Sequence, residues 1–207
     1  MLRRSTLAAT ALALFAAPAF AQSWDHPSFF SPRPHDDLGV YMIKPDIGDW
    51  GVVGIWRQSA GINLGVRGGV GGGSGDRTVL VGAELFGPIA FESAAPLAFY
   101  WVTGLGASFN GLTKGRIPLG VSAGISLGEG STIITPYVHP RFAFEVYTFD
   151  GDNSDTETDF DFDVDVGADI ELGQRFILRG GYKIGDVDEV FGLGGAIRVG
   201  RGVAAAR

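Results

Sequence analysis

Asp159, Asp161, Asp163, Asp165, Asp169 and Glu171 stand in one parity along a single stretch, and Arg175, Arg179 and Lys183 follow in the same parity. Residues i and i+2 share one side of a β-strand, so these acids and bases share one face of a hairpin. A three-residue turn at Gly173–Arg175 opposes Asp169 to Arg179 and Asp165 to Lys183. Opposite charges across strands attract modestly. A face of this kind has two uses: an ion-pair network that closes an interior, or a charged constriction in a channel. Arg67 and Glu84 stand where the same pairing forms across 61–87.

Two further groups invite chemistry. His139 shares a face with Tyr137, Arg141, Glu145 and Tyr147, and imidazole with carboxylate is the base-and-orienter pair of nucleophilic catalysis. No serine follows at a suitable spacing on that face, and an enzyme acting on membrane lipid needs its site on the lipid side. No catalytic residue is assigned, and the chain reads as no enzyme. His26 and His35 precede the first strand and look incidental. The loop Asp150–Asp159 carries Asp150, Asp152, Asp155, Glu157 and Asp159, hard oxygen ligands of the type calcium takes. The EF-hand spacing fails, with no glycine at its sixth position and no glutamate at its twelfth. A solvated loop is the simpler reading, with an extracellular cation or surface ligand as the functional one. The absence of cysteine excludes a disulfide scaffold, thiolate metal ligands and a thiol nucleophile. No cofactor and no metal are assigned. With 16 basic and 23 acidic residues, a net charge of -7, the chain lacks the basic face that nucleic acid requires.

These groups must be positioned by something, and the period of the sequence says what. Arg3 and Arg4, the apolar run Leu7–Ala17 and the small residues Ala19 and Ala21 form a cleavable export signal over 1–21. The run is too short to span a hydrocarbon core. Residues 22–37, with three prolines, read as an irregular N-terminal segment. From Leu38 the period is two. Phe160, Phe162, Val164, Val166, Ala168, Ile170 and Leu172 oppose the acids of 159–171. Ile117, Leu119, Val121, Ala123, Ile125 and Leu127 oppose Gly120, Ser122, Gly124, Ser126 and Gly128. Strands are predicted over 38–44, 49–57, 61–70, 77–87, 97–109, 117–128, 132–149, 159–172, 174–184 and 189–200, with a tail at 201–207. Pro136 and Pro140 predict a bulge or kink, since a closed sheet has no free edge for them.

Which face is buried decides the fold class. A soluble sandwich or lipocalin-like barrel turns its apolar face inward; a membrane barrel reverses this. A solvent face such as Gly120, Ser122, Gly124, Ser126 and Gly128, in a chain with 33 glycines, weakens strands for no gain, whereas small residues suit a crowded narrow lumen. Trp50 and Trp56 share the apolar face six residues apart, roughly 20 Å along a strand, a separation that fits two aromatic girdles around an apolar band. The fold predicted is all-β, a closed antiparallel transmembrane β-barrel of eight or ten strands, with ten favoured. A secreted soluble barrel binding an apolar ligand is the alternative of another class.

With its signal, two-faced strands and alternating link lengths, the chain over about 38–200 resembles the small outer-membrane β-barrels, such as the transmembrane domain of outer membrane protein A and the opacity-type barrels. That resemblance implies residence in the cell outer membrane, contact with outer-membrane lipid and with the barrel assembly machinery, and an envelope-structural or surface-interaction role, with a narrow pore as the alternative. Such barrels usually end on an aromatic residue; here Phe191, Leu193, Ile197 and Val199 are followed by GRGVAAAR. Link lengths imply an orientation. Those at 58–60, 127–131 and 172–175 are tight, those at 70–77, 110–116 and 150–158 are longer and outward, and 87–96 breaks the alternation.

Overall fold

The computed structural model describes residues 26–45, 50–59, 63–72, 77–89, 96–109, 112–149, 156–185 and 189–199. The expected signal (1–21) and tail (201–207) lie outside them, as do Asp150, Asp152 and Asp155. Ten strands follow in chain order: β1 (Asp37–Pro45), β2 (Gly51–Gln58), β3 (Leu64–Gly71), β4 (Thr78–Pro88), β5 (Leu97–Phe109), β6 (Leu112–Ile125), β7 (Thr132–Phe149), β8 (Thr156–Leu172), β9 (Phe176–Ile184) and β10 (Val190–Arg198). Each pairs antiparallel with its sequence neighbours. β1 pairs with β10 from Asp37↔Arg198 to Pro45↔Val190, so the sheet closes on itself and no edge remains.

Alternation sends the two residue sets to opposite sides. Leu38, Val40, Met42, Leu105, Leu119, Phe142, Phe160, Phe162, Phe176 and Leu193 are exposed on the outside. Asp163, Asp165, Asp169, Glu171, Arg179 and Lys183 are buried inside. Trp50 and Trp56 also face outward. A soluble protein cannot leave an apolar belt of this extent in water, whereas lipid covers it without cost. The fold is a closed ten-stranded antiparallel transmembrane β-barrel.

Four local expectations need correction. The link expected at 110–116 is no long loop: β6 begins at Leu112, and Phe109 pairs with Thr113. β8 likewise begins at Thr156, so Glu157 is an exposed strand residue opposite Tyr147 rather than part of a loop. At the end where β1 starts and β10 finishes (the terminal end), links run over 59–63, 89–96, 126–131 and 173–175; at the far end they run over 46–50, 72–77, 110–111, 150–155 and 185–189. The two ends do not sort into short and long. Finally, Pro140 produces neither bulge nor slip. The β6–β7 ladder skips from Gly120↔Arg141 to Ala123↔Val138 in unchanged register, while β7–β8 pairing runs unbroken past both prolines. Pro140 turns its missing N–H toward β6, and the sheet tolerates a short gap there.

Candidate functional site: a segment folded into the lumen

Ten strands lined largely by Gly, Ser and alternating charges enclose more space than those side chains fill. The space is taken by residues 26–36. His26, Ser28, Phe29, Phe30 and Ser31 are all buried. The segment enters at the terminal end beside Asp37 and reaches the middle of the barrel. Phe29 has φ of 50°, a left-handed conformation uncommon outside glycine, and successive rings pack on different parts of the wall. The Phe29 ring stacks on Tyr41 at 4.4 Å and packs with Ile43, Val53, Ile55, Leu80 and Val190. The Phe30 ring lies 4.9 Å from Phe86 and packs with Val102 and Tyr100. Glycine makes this approach possible. A Cβ at Gly192 would collide with Phe29 Cζ, and one at Gly124 would stand 2.9 Å from Pro32 Cγ.

The segment's backbone is hydrogen-bonded by the wall. Arg57 Nη1 donates to the Phe29 carbonyl at 2.9 Å and Nη2 to the Ser28 carbonyl at 2.8 Å. Its guanidinium also lies over the Phe30 ring at 5.3 Å. Ser122 Oγ donates to the Phe30 carbonyl at 2.7 Å, Arg141 Nη2 to the His26 carbonyl at 3.2 Å, and the Ser28 N–H to Asp165 Oδ2 at 3.0 Å. At the terminal mouth His35 Nε2 lies 3.0 Å from both Glu171 Oε1 and Arg198 Nη2, and Arg33 Nε lies 2.7 Å from Glu171. Burial, reinforced by Arg198, holds the His35 imidazole below its ordinary pKa, against the opposing pull of Glu171. Neither His26 nor His35 is incidental: both are part of this inserted segment.

The lumenal charges sort into connected groups. Asp169 pairs with Arg179 at 2.9 Å, and Arg179 also reaches Asp37 at 2.6 Å and the Tyr41 hydroxyl at 2.9 Å. Asp165 is in register with Lys183, but Lys183 Nζ turns to Asp163 at 3.5 Å, and Asp165 takes Arg141 at 3.3 Å. Asp163 also meets Arg116 and Arg141, and Glu145 holds Lys114 at 2.7 Å and Arg116 at 2.9 Å. Glu84 meets both Arg67 and Arg57, the latter at 2.6 Å. Glu171 sits at the mouth with Arg33 and Arg198, and Asp161 is half-buried on the same lumenal face. Arg175 does not join them; it is exposed in the turn after β8. Buried charges of both signs leave few ions free to move, since removing one partner strands the other in low dielectric. The residues that sequence reasoning missed are Arg57, Asp37, the Lys114–Arg116 pair on one face of β6, and the Ser28–Phe30 tripeptide.

His139 acquires a serine from an unexpected quarter. Ser28 Oγ lies 2.7 Å from His139 Nδ1, and Asp165 Oδ2 lies 3.6 Å from the same nitrogen. A relay through imidazole needs its two partners on opposite nitrogens. Here both approach one, so the arrangement anchors the segment rather than moving a proton across the ring.

No protein-family model matches the chain, and no curated protein matches it. Among solved structures, the N-terminal β-barrel domain of Pseudomonas aeruginosa OprF is similar at 12% identity and TM-score 0.39, covering 80% of this chain and 98% of that one. The KdgM porin, solved in complex with disordered oligogalacturonate, is similar at 8% identity and TM-score 0.41, covering 79% and 99%. Ail, the attachment invasion locus protein of Yersinia pestis, is similar at 8% identity and TM-score 0.32, covering 80% and 98%. From its own geometry, the chain is a transmembrane β-barrel whose lumen is occupied by the segment that precedes its first strand.

Proposed function

We propose that this chain is a non-enzymatic, closed barrel of the outer membrane, with an envelope-structural or surface-interaction role. The inserted segment carries the reading: Phe29 and Phe30 are fully buried in mid-lumen, and the wall donates hydrogen bonds to four of the segment's carbonyls. A conduit needs a continuous hydrated path, and two buried rings packed against the walls obstruct it. The outward apolar belt calls for lipid, with Trp50 and Trp56 as its aromatic borders. The lumenal charges hold the segment and the walls together. The acidic loop at 150–155, together with Glu157, is the part suited to meet an extracellular cation or cationic surface.

Membrane fractionation followed by planar-bilayer recording of the purified protein tests this. The protein is expected in the outer-membrane fraction, with negligible current from the intact chain and steps of current once residues 26–35 are deleted. Large, steady single-channel currents from the intact chain overturn the closed reading in favour of the pore. Recovery in the periplasm without detergent overturns the membrane reading.

A further inference from the structure

The rim at the far end is uneven. β8 begins at Thr156, but its ladder with β9 stops at Val164↔Ile184. Eight residues, Thr156–Asp163, run on past that last pair, while β7 accompanies them on the other side as far as Thr148↔Thr156. At about 3.3 Å per residue the ledge is roughly 26 Å long.

The ladder says which main-chain groups face its open side. Ile134 exchanges both main-chain hydrogen bonds with Leu127, at 2.8 Å each, so even-numbered residues of β7 bond toward β6. The bonding side alternates along an antiparallel strand. Odd residues of β7 therefore bond to β8, through pairs such as Glu145↔Asp159 and Tyr147↔Glu157. The N–H and C=O groups of Thr158 and Phe160 then point away from β7, and among the described residues no strand pairs with them there. Phe160 shows the consequence: its N–H is taken by the Asp159 carboxylate at 2.7 Å, a local side-chain substitute for a strand.

Two features select a partner for this edge. Glu157 and Asp159 are exposed on one face, and neither forms an ion pair with a described residue. The other face carries Thr158 and the exposed Phe160, whose ring stacks on Phe142 at 5.5 Å. A second copy of the same edge would set acid against acid, which opposes pairing.

We propose that Thr156–Phe160 is a strand-addition site for a basic, extended segment of another protein, with lysine or arginine alternating with apolar residues. The added strand runs antiparallel, as every pair in the barrel does. Its cations lie over Glu157 and Asp159, its apolar side chains extend the Phe160 surface, and its main chain bonds to Thr158 and Phe160. Asp159 gives up the Phe160 N–H and turns to a cation. The inference rests on the surface-interaction reading and gives it a partner class.

The test uses the full chain folded in a non-ionic detergent and three short, end-blocked peptides of alternating valine and lysine: unmodified, N-methylated at the valines, and N-methylated at the lysines. All three carry the same charge. In the antiparallel register the valine N–H groups face β8 and the lysine N–H groups face away. The unmodified and lysine-methylated peptides are expected to bind alike, and the valine-methylated one at least about tenfold more weakly, through the loss of main-chain hydrogen bonds. Thr158→Pro removes an N–H on the open side only, where an edge tolerates proline. It is expected to weaken the unmodified peptide comparably while the barrel keeps its heat-modifiable mobility. Amide exchange at Thr158 of the wild type is expected to slow when that peptide saturates, a readout that needs no variant. Equal affinity for all three peptides means that charge alone holds them; it overturns the strand site and leaves the acidic surface as the contact. Absence of binding, or unchanged exchange at Thr158 under saturation, also overturns the site, whereas the reading beneath it falls only by fractionation.

Discussion

Replacing Arg57 by Met should release the inserted segment while leaving the barrel shut at its seam. Arg57 makes two charge-assisted hydrogen bonds to the Ser28 and Phe29 carbonyls, at 2.8 and 2.9 Å, and covers the Phe30 ring at 5.3 Å. A hydrogen bond to a charged group contributes about 1.5–3 kcal/mol, and a desolvated cation–π contact about 2 kcal/mol. These contributions overlap because they share one guanidinium, so about 4 kcal/mol is a fair net loss. The wall suffers less, because Glu84 retains Arg67, and methionine keeps most of the volume of the lost stem. At 1.4 kcal/mol per tenfold, the docked-to-undocked ratio of the segment should fall roughly a thousandfold. Amide hydrogen exchange at Ser28, whose N–H is bonded to Asp165, reads that ratio directly; heat-modifiable electrophoretic mobility reports whether the barrel itself is folded. Exchange at Ser28 within threefold of wild type, in a barrel that remains folded, would refute the assignment of Arg57 as the segment's anchor.

Gly192→Val should displace Phe29, since even a Cβ at that position collides with the ring; protease cleavage between residues 26 and 36 in the folded variant is the expected sign. His35 gives a pH dependence of definite direction. Its pKa in the folded state lies below the ordinary value of 6.5, so the unfolded chain binds the proton first and stability falls as pH drops through 6.5. A His35→Gln variant should show a shallower decline in denaturant midpoint between neutral and mildly acidic pH. On the outer surface, Val164→Arg should destabilise the barrel by about 2–4 kcal/mol if the position lies near the bilayer midplane. An unfolding measurement in lipid showing less than about 0.5 kcal/mol there would count against the placement of that face.

The strands were legible because a period of two survives every local irregularity, from the Asp-Phe alternation of β8 to the Gly-Ser alternation of β6. Their parity also put acids and bases on the lumenal side without any knowledge of the register. Partner choice was less accessible. Register opposes Asp165 to Lys183, yet a long lysine side chain reaches two residues along its neighbour, and Asp163 takes it. Link length was a poor guide because β5 and β6 continue beyond the apolar band, converting Leu112–Arg116 from loop to strand. The inserted segment had no period to reveal it, only prolines. A signal was nevertheless present: Phe29 and Phe30 lie just before the first strand, where two adjacent rings must find cover, and a lumen lined by glycine has room to provide it.

The site that receives Phe29 has a consequence for assembly. One wall of it is Tyr41 and Ile43 on the first strand, and the other is Gly192 and Val190 on the last. The pocket therefore does not exist in an open sheet; it forms when the two ends of the chain meet. The N-terminal segment leaves the ribosome before any strand, yet it must wait for all ten before its ring can dock. Once docked, it ties β1 to β10 from within, so that unzipping the seam requires extracting an aromatic ring as well as breaking a ladder. A segment made before every strand is thus the final latch.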